Sequence, residues 1–237
     1  MSNANALIEL ALSQVGYEEP SHDNRQKYGA FLDNTTWYEY KEGERTWIHR
    51  VNGHDWCTQF HDWCHVFLWG VEKARQILNR PRYNNYGAVV KYTYNYYKEN
   101  EWIGNKPKKG ASIFFQRGGE LAHIGIVVDY DETYVYTVEG NAGHGNYYVV
   151  KNKYKRYDPY IYGYGYPAYE ESKYPDHPFN AVNTLQGVAI RSGPYSDCPV
   201  IGYIALGSIV NIEELSGSSG DFGKITGYVY LPGGFNI

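Results

Sequence analysis

The segment Asp55-Trp56-Cys57-Thr58-Gln59-Phe60-His61-Asp62-Trp63-Cys64 reads as the opening of a helix that carries a cysteine at its N-terminal edge. Asp55 is the expected N-cap, because its carboxylate can accept a hydrogen bond from an orphan amide of the first turn. Cys57 then falls where the positive end of the helix favours a thiolate over a thiol. At about 100° per residue, Trp56, Phe60, Trp63, Cys64, Phe67 and Val71 share one face. Thr58, His61 and His65 lie on the other side, and Cys57 sits at the border of the apolar stripe. The helix is expected to run to about Ile77, with Cys64 in the core and His61 and His65 on the surface. A free cysteine is more often a packing residue than a reactive one, so Cys57 needs partners before it means chemistry.

Working outward, Ala6 to Val15 repeats apolar residues at helical spacing and is stopped by Gly16. Residues 17–53 are rich in Asn, Asp, Gly, Lys and Tyr and predict a long loop, with a short helix near Tyr28 to Leu32. Loops of that length inside compact domains are often functional. Beyond the cysteine helix, Tyr86 to Tyr97 predicts another helix. After Gly110 the pattern turns to strands: Ser112 to Gln116, Ala122 to Tyr130, Tyr134 to Glu139, Tyr147 to Lys151 and Ile161 to Tyr166. Helices first and strands afterwards argue for an α+β domain with an antiparallel sheet. Residues 169–180 hold prolines without periodicity and predict a linker after a domain of residues 1–168. Residues 181–237 show short strands between turn signals and predict a small all-β barrel.

The chain has 237 residues and a formal charge of −4, which argues against nucleic acid as a partner. Tyrosine is in excess, with 27 residues against 8 phenylalanines; it suits both sheets and surfaces that meet sugars or peptides. Three cysteines make no even disulfide framework. No apolar run approaches the ~20 residues that span a membrane. No signal peptide is visible, so the chain is expected either in the cytoplasm, or outside the cell by another route or after signal removal. No cofactor or metal is called for, and a monomer is expected.

A nucleophilic cysteine needs a base, and the base an orienting partner. His123 opens the strand His-Ile-Gly-Ile-Val-Val, and Glu139 and Asn141 close the next strand. In an antiparallel pair the start of one strand lies beside the end of the other. That brings His123, Glu139 and Asn141 to one end of the sheet, with Gly140 permitting a turn between the two polar residues. Cys57 would attack a carbonyl carbon, with His123 as base and Glu139 or Asn141 fixing its tautomer. The backbone N–H of Cys57 is a natural oxyanion donor.

The same residues carry a resemblance. Trp56-Cys57-x-x-Phe60-x-x-Trp63-Cys64, then His123 to Val128, then Glu139-Gly140-Asn141, then Gly163-Tyr164-Gly165-Tyr166-Pro167 resemble a CHAP domain, a cysteine, histidine-dependent amidohydrolase/peptidase. Ala11 to Glu19 and Lys27-Tyr28-Gly29 resemble that family's opening, so the likeness covers residues 6–169. It implies a papain-like α+β fold and cleavage of an amide bond in peptidoglycan. It makes Cys57 the nucleophile, His123 the base, Glu139 the orienting acid and Asn141 a further polar member. The chain departs from the family at Ala111-Ser112, where an Asp often follows the glycine, and at the polar residues Gln59, His61 and Asp62. Val188 to Pro194, Val200 to Tyr203, Gly207-Ser208 and Gly227 to Val229 resemble a bacterial SH3 domain, which implies a tail that binds the cell wall. The pair together is similar to an endolysin.

Rival readings remain open on the sequence. His54, Cys57, His61, Cys64 and His65 crowd one segment, although structural zinc usually draws on separate elements. His61, one turn from Cys57, competes with His123 as base. A non-catalytic wall-binding protein would need no reactive thiol, and a cytoplasmic amidase acting on a soluble peptide conjugate would need no wall-binding tail. Which bond of peptidoglycan is cut, the muramoyl–alanine amide or a stem or cross-bridge peptide bond, is open.

Overall fold

The computed structural model describes residues 4–169 and, beyond them, residues 179–183, 188–192, 198–206, 208–212, 214–216, 222–225, 227–230 and 235–236. The chain divides into two compact units, Ser2–Tyr169 and Glu170–Ile237. The first contains α1 (Ala4–Ser13), α2 (Lys27–Leu32), β1 (Glu39–Glu42), β2 (Arg45–Ile48), α3 (Cys57–Leu78), α4 (Val90–Glu99) and β3 (Ile103–Gly104). It continues with β4 (Ser112–Arg117), β5 (Glu120–Tyr130), β6 (Tyr134–Ala142), β7 (Tyr148–Lys155) and β8 (Ile161–Gly165). Helices precede the main sheet, and its pairings are antiparallel in the order β3-β8-β4-β5-β6-β7. The α+β expectation is met.

Alternation along the strands builds two apolar layers. Ile124, Ile126 and Val128 of β5 point with Phe114, Val138 and Val149 into the core shared with the helices. Val127, Ile113, Phe115, Val135 and Tyr164 point the other way into a second cluster, against which Tyr154, Tyr160 and Tyr166 pack. Tyrosines therefore serve both layers, Tyr28, Tyr38 and Tyr97 in the helix-side core and Tyr164 in the second.

α3 is the spine of this unit, and it departs from the expected one-sided stripe. Every residue from Cys57 to Val66 is buried. Its polar residues are matched inside. Asp62 accepts hydrogen bonds from Trp37 Nε1 (2.9 Å) and Tyr38 Oη (2.8 Å) and pairs with buried Arg80 (2.8 Å). His61 joins Asp62 through Nδ1 (2.9 Å) and Ser112 Oγ through Nε2 (2.7 Å). His65 meets the His61 carbonyl (2.8 Å) and the Tyr169 hydroxyl (3.0 Å). His61 and His65, expected on the surface, are thus interior, because each ring nitrogen has a partner there. Phe67, expected inside, is exposed. At Gly70 the backbone turns to φ 72°, outside helical geometry, and divides α3 in two.

Three further differences concern local structure. The predicted helix from Tyr86 begins only at Val90, because residues 86–89 form a turn in which Val89 N donates to the Tyr86 carbonyl (3.0 Å). The long loop contains the hairpin β1–β2, paired from Glu39↔Ile48 to Glu42↔Arg45. Of the expected linker 169–180, Tyr169 belongs to the first unit, where its hydroxyl donates to the Gly110 carbonyl (3.0 Å).

The second unit contains β9 (Phe179–Asn183), β10 (Val188–Arg191), β11 (Val200–Ile204), β12 (Ile209–Ile212), β13 (Glu214–Ser216), β14 (Phe222–Ile225), β15 (Gly227–Tyr230) and β16 (Phe235–Asn236). They form a five-stranded sheet, β11-β10-β15-β14-β13, and a three-stranded sheet, β12-β9-β16, with antiparallel pairing. Of the segments that resemble a bacterial SH3 domain, Gly193-Pro194 and Gly207 lie outside the described residues. Among the described residues, no helix is long and apolar enough to cross a membrane.

Candidate active site

Cys57 is the first residue of α3, and the N-cap is Trp56 rather than Asp55. Trp56, at φ −118° and ψ 16°, is neither helical nor extended and provides no side-chain cap. Asp55 is instead an exposed residue of the preceding loop. That loop is held from within the helix. Gln59 Nε2 donates to the carbonyls of Val51 (2.9 Å), His54 (3.0 Å) and Asp55 (3.0 Å). Gln59 Oε1 accepts from Gln26 Nε2 at 2.7 Å, and Gln26 in turn caps α2. Trp56 is pinned through its indole N–H, which donates to buried Glu19 at 2.5 Å. The backbone around Cys57 is therefore set by buried polar residues.

His123 faces this helix end from β5. Its Nε2 lies 3.1 Å from Glu139 Oε2. The Cys57 thiol is close enough to influence the charge of this ring, and with Nε2 turned to Glu139, Nδ1 is the nitrogen left for the sulfur. Glu139 is only 2% exposed. Its carboxylate accepts further hydrogen bonds from Asn152 Nδ2 (3.1 Å), Tyr154 Oη (3.2 Å) and the Thr137 hydroxyl. Phe115, stacked on Tyr160 at 4.9 Å, packs 5.7 Å from the His123 ring.

Two glycines make this approach possible. A Cβ at Gly125 would stand 2.6 Å from Glu139 Cγ, so only glycine leaves room for the carboxylate beside β5. A Cβ at Gly140 would meet Phe60 Cβ at 2.5 Å, so glycine there lets β6 close on the first turn of α3. The expected role of Gly140 as a turn residue is replaced by this packing role. The turn itself belongs to Asn141, at φ 55°, where a bulge interrupts the β6–β7 register between Glu139 and Ala142. Bulges of this kind re-aim side chains at sites.

Asn141 consequently does not reach the imidazole. With its amide oriented to satisfy both neighbours, Oδ1 accepts from the Trp56 backbone N–H (3.0 Å) and Nδ2 donates to the Asn146 carbonyl (2.6 Å). It ties the end of β6 to the residue before Cys57. All four expected site residues, Cys57, His123, Glu139 and Asn141, line one cleft of about 860 Å³. His61, the rival base, is sealed in the interior with both nitrogens engaged. Among the described residues, no group of three or more His, Cys, Asp or Glu is arranged to hold a metal ion.

The electrostatics follow from this geometry. Burial alone would push the Cys57 thiol up, but the hydrogen bond and charge of His123, with the Thr58 hydroxyl at 3.8 Å, bring it below its ordinary value. Burial works against the His123 cation, but hydrogen bonds to Cys57 and Glu139 and their charges raise it to about 10. The arrangement stabilises a thiolate beside an imidazolium, the charge state of an activated cysteine nucleophile.

Residues 49–141 match the CHAP domain family. A CHAP domain is present in this chain. Two solved structures align over nearly its whole length. The crystal structure of Ly7917 shares 16% identity, covers 97% of this chain and 92% of its own, and superposes with a TM-score of 0.38. The crystal structure of Ly7917 with the hydrolyzing product of MDP shares 14% identity, covers 97% and 93%, and has a TM-score of 0.35. No curated protein matches.

The matched CHAP segment contains Cys57, His123, Glu139 and Asn141, but several residues that hold them lie outside it. Glu19 and Gln26 precede it, and Asn152, Tyr154 and Tyr160 follow it. Sequence reading missed these. The available signal for Asn152 and Tyr154 was their alternation on β7, which places them on the face of Glu139 once the register Glu139↔Val150 is known. Nothing in the sequence pointed to Glu19 or Gln26, which act from 37 and 33 residues away.

Proposed function

We propose that this protein is a cysteine-dependent hydrolase that cuts an amide bond of bacterial peptidoglycan. The observation that carries this reading is the Cys57–His123–Glu139 relay at one cleft, within a CHAP domain. The Cys57 thiolate attacks the scissile carbonyl carbon, and the carbonyl oxygen takes the negative charge. Because Trp56 supplies no side-chain cap, first-turn N–H groups of α3 stay available to that oxyanion. His123 gives its Nδ1 proton to the departing nitrogen, the C–N bond breaks, and a thioester remains on Cys57. Neutral His123 then takes a proton from water, the hydroxyl adds to the thioester, and the carboxylic acid leaves as the thiol is restored. Glu139 keeps the ring turned with Nδ1 toward the sulfur and supports its positive charge. Asn141 is a positioning residue that fixes the Trp56–Cys57 backbone.

The scissile bond is either the muramoyl–alanine amide or a peptide bond of the stem or cross-bridge. The Glu170–Ile237 unit is read as a bacterial SH3-type module that binds the wall and raises the enzyme's local concentration at an insoluble substrate; this makes the whole endolysin-like and places its action at the cell wall. The test is mass spectrometry of fragments released from purified peptidoglycans by the native chain and by Cys57→Ala. New amino groups on the stem or bridge identify an endopeptidase, and lactyl groups freed from alanine identify an amidase. Equal release by both chains, or none by either, overturns the reading.

A further inference from the structure

The hairpin β1–β2 lies before the segment that matches the CHAP family, and it carries a row of rings that the catalytic relay does not use. Trp47 packs on Tyr40 with centroids 4.7 Å apart, Tyr40 on Tyr86 at 6.0 Å, and Tyr86 on Tyr92 at 5.3 Å. Trp47, Tyr86 and Tyr92 are exposed by 40%, 45% and 44%. Monomeric proteins rarely leave so many large rings adjacent and open to water without a ligand for them. The row is also rigid. Asn84 N donates to the Glu39 carbonyl (2.8 Å), and Asn84 Oδ1 accepts from Lys41 N (3.0 Å), so the hairpin is bonded to the loop before α4 in both directions.

The row borders the cleft of Cys57 through its chain neighbours, not through its rings. His49, directly after β2, and Val89, between Tyr86 and Tyr92, both line the cleft that holds Cys57. Val89 N donates to the Tyr86 carbonyl and Tyr92 N to the Val89 carbonyl, each at 3.0 Å, so the backbone that carries these two rings is tied to a residue of the cleft wall. Broad flat faces with hydroxyl tips suit a ligand whose rings have apolar C–H faces and polar edges. An apolar peptide would call for aliphatic side chains here, and the row is aromatic apart from Val89.

We propose that Trp47, Tyr40, Tyr86 and Tyr92 form a saccharide-binding platform that holds the amino-sugar chain of the substrate while its peptide enters the cleft at Cys57. This rests on the peptidoglycan reading for its physiological ligand. The test uses the full-length Cys57→Ala protein titrated calorimetrically with chitotetraose, a soluble chain of N-acetylglucosamine. Trp47→Ala in that background is expected to bind about tenfold more weakly, the loss of one ring-stacking contact, and Trp47→Phe to bind within about twofold. Tyr92→Ala, at the other end of the row, repeats the test if Trp47→Ala does not fold. Equal affinity in all variants, or no binding of chitotetraose, overturns the platform. In the active protein, Tyr92→Ala should lower about tenfold the ratio of kcat/KM on a disaccharide-peptide to that on the free stem peptide. If neither peptide is cleaved but the sugar titration behaves as expected, the hydrolase reading fails and the platform stands. If Cys57-dependent cleavage occurs with an unchanged ratio, the platform fails and the hydrolase reading stands.

Discussion

The first unit contains two histidine–carboxylate pairs, one at the cleft and one in the interior, and they have opposite properties. His123 lies 3.1 Å from Glu139, and His61 lies 2.9 Å from Asp62. The pKa of His123 is raised to about 10, whereas that of His61 is lowered. Burial opposes the charged ring in both, so burial does not separate them. What differs is the third party. At His123 the other nitrogen meets a thiol that can become an anion. At His61 it meets the neutral hydroxyl of Ser112, and the charge of Asp62 is already matched by Arg80. A carboxylate beside a histidine orients it in both places. Only a second anion at the other end, open to a cleft, makes an imidazolium stable where a substrate can use it.

Removing each ring would break the comparison most sharply. His123→Ala is expected to lower kcat about 10⁴-fold or more, as loss of the base does in concerted sets of this kind. His61→Gln is expected to keep kcat within about twofold and to lower stability by about 1–3 kcal/mol, the cost of leaving a buried partner unsatisfied. Turnover of a soluble muropeptide and urea unfolding measure the two. Equal losses of kcat would mean that His61 serves the chemistry.

Arg80→Met comes next. Taking one partner from a buried ion pair leaves Asp62 uncompensated and is expected to cost about 3–5 kcal/mol of stability, read as a fall in the urea midpoint at neutral pH. Burial pushes the Asp62 carboxyl up, but the Arg80 guanidinium, with the hydrogen bonds of His61 and Trp37, holds it down at about 2. A carboxylate depressed in the folded state contributes stability above its unfolded value that is lost as pH falls through the folded value. The native chain should therefore lose that contribution between about pH 4 and pH 2, and Arg80→Met should lose its share at higher pH.

The smallest effect sharpens the active pair itself. Activity should rise on the acid side as Cys57 ionises, below its ordinary value of 9.0, and fall on the alkaline side near pH 10 as His123 gives up its proton. Glu139→Gln removes one of the charges that raise His123, so the alkaline limb should move to lower pH and kcat should fall about 10²-fold. A pH–rate profile of kcat/KM with an unmoved alkaline limb would deny Glu139 its supporting role.

The two pairs also show what was legible. The relay could be read because each of its members sits at a punctuation mark: Cys57 at a helix start, His123 within a strand of small and β-branched residues, Glu139 beside a glycine. Asp62 and His61 carried no such mark. On a helical wheel they fall on the polar side, and their burial depends on Arg80, Trp37, Tyr38 and Ser112, which come from other elements. The same limit explains Asn141, whose spacing from Glu139 suggested a shared target until the bulge re-aimed it to Trp56. It also explains the hairpin β1–β2, whose short polar strands lack the alternation that a half-buried strand shows.

The sequence by itself determined the order of helices and strands and singled out Cys57, His123 and Glu139 as the candidates for acyl-transfer chemistry. Those follow from local signals: hydrophobic period, caps and breakers, and the few residue types able to do acyl-transfer chemistry. Tertiary structure alone decided which of two histidines meets the sulfur, which carboxylate is neutralised by an arginine, and how close β6 comes to α3. Those depend on distances between residues far apart in the chain, and the energy of a buried charge is set by whatever the fold places within a few ångströms of it.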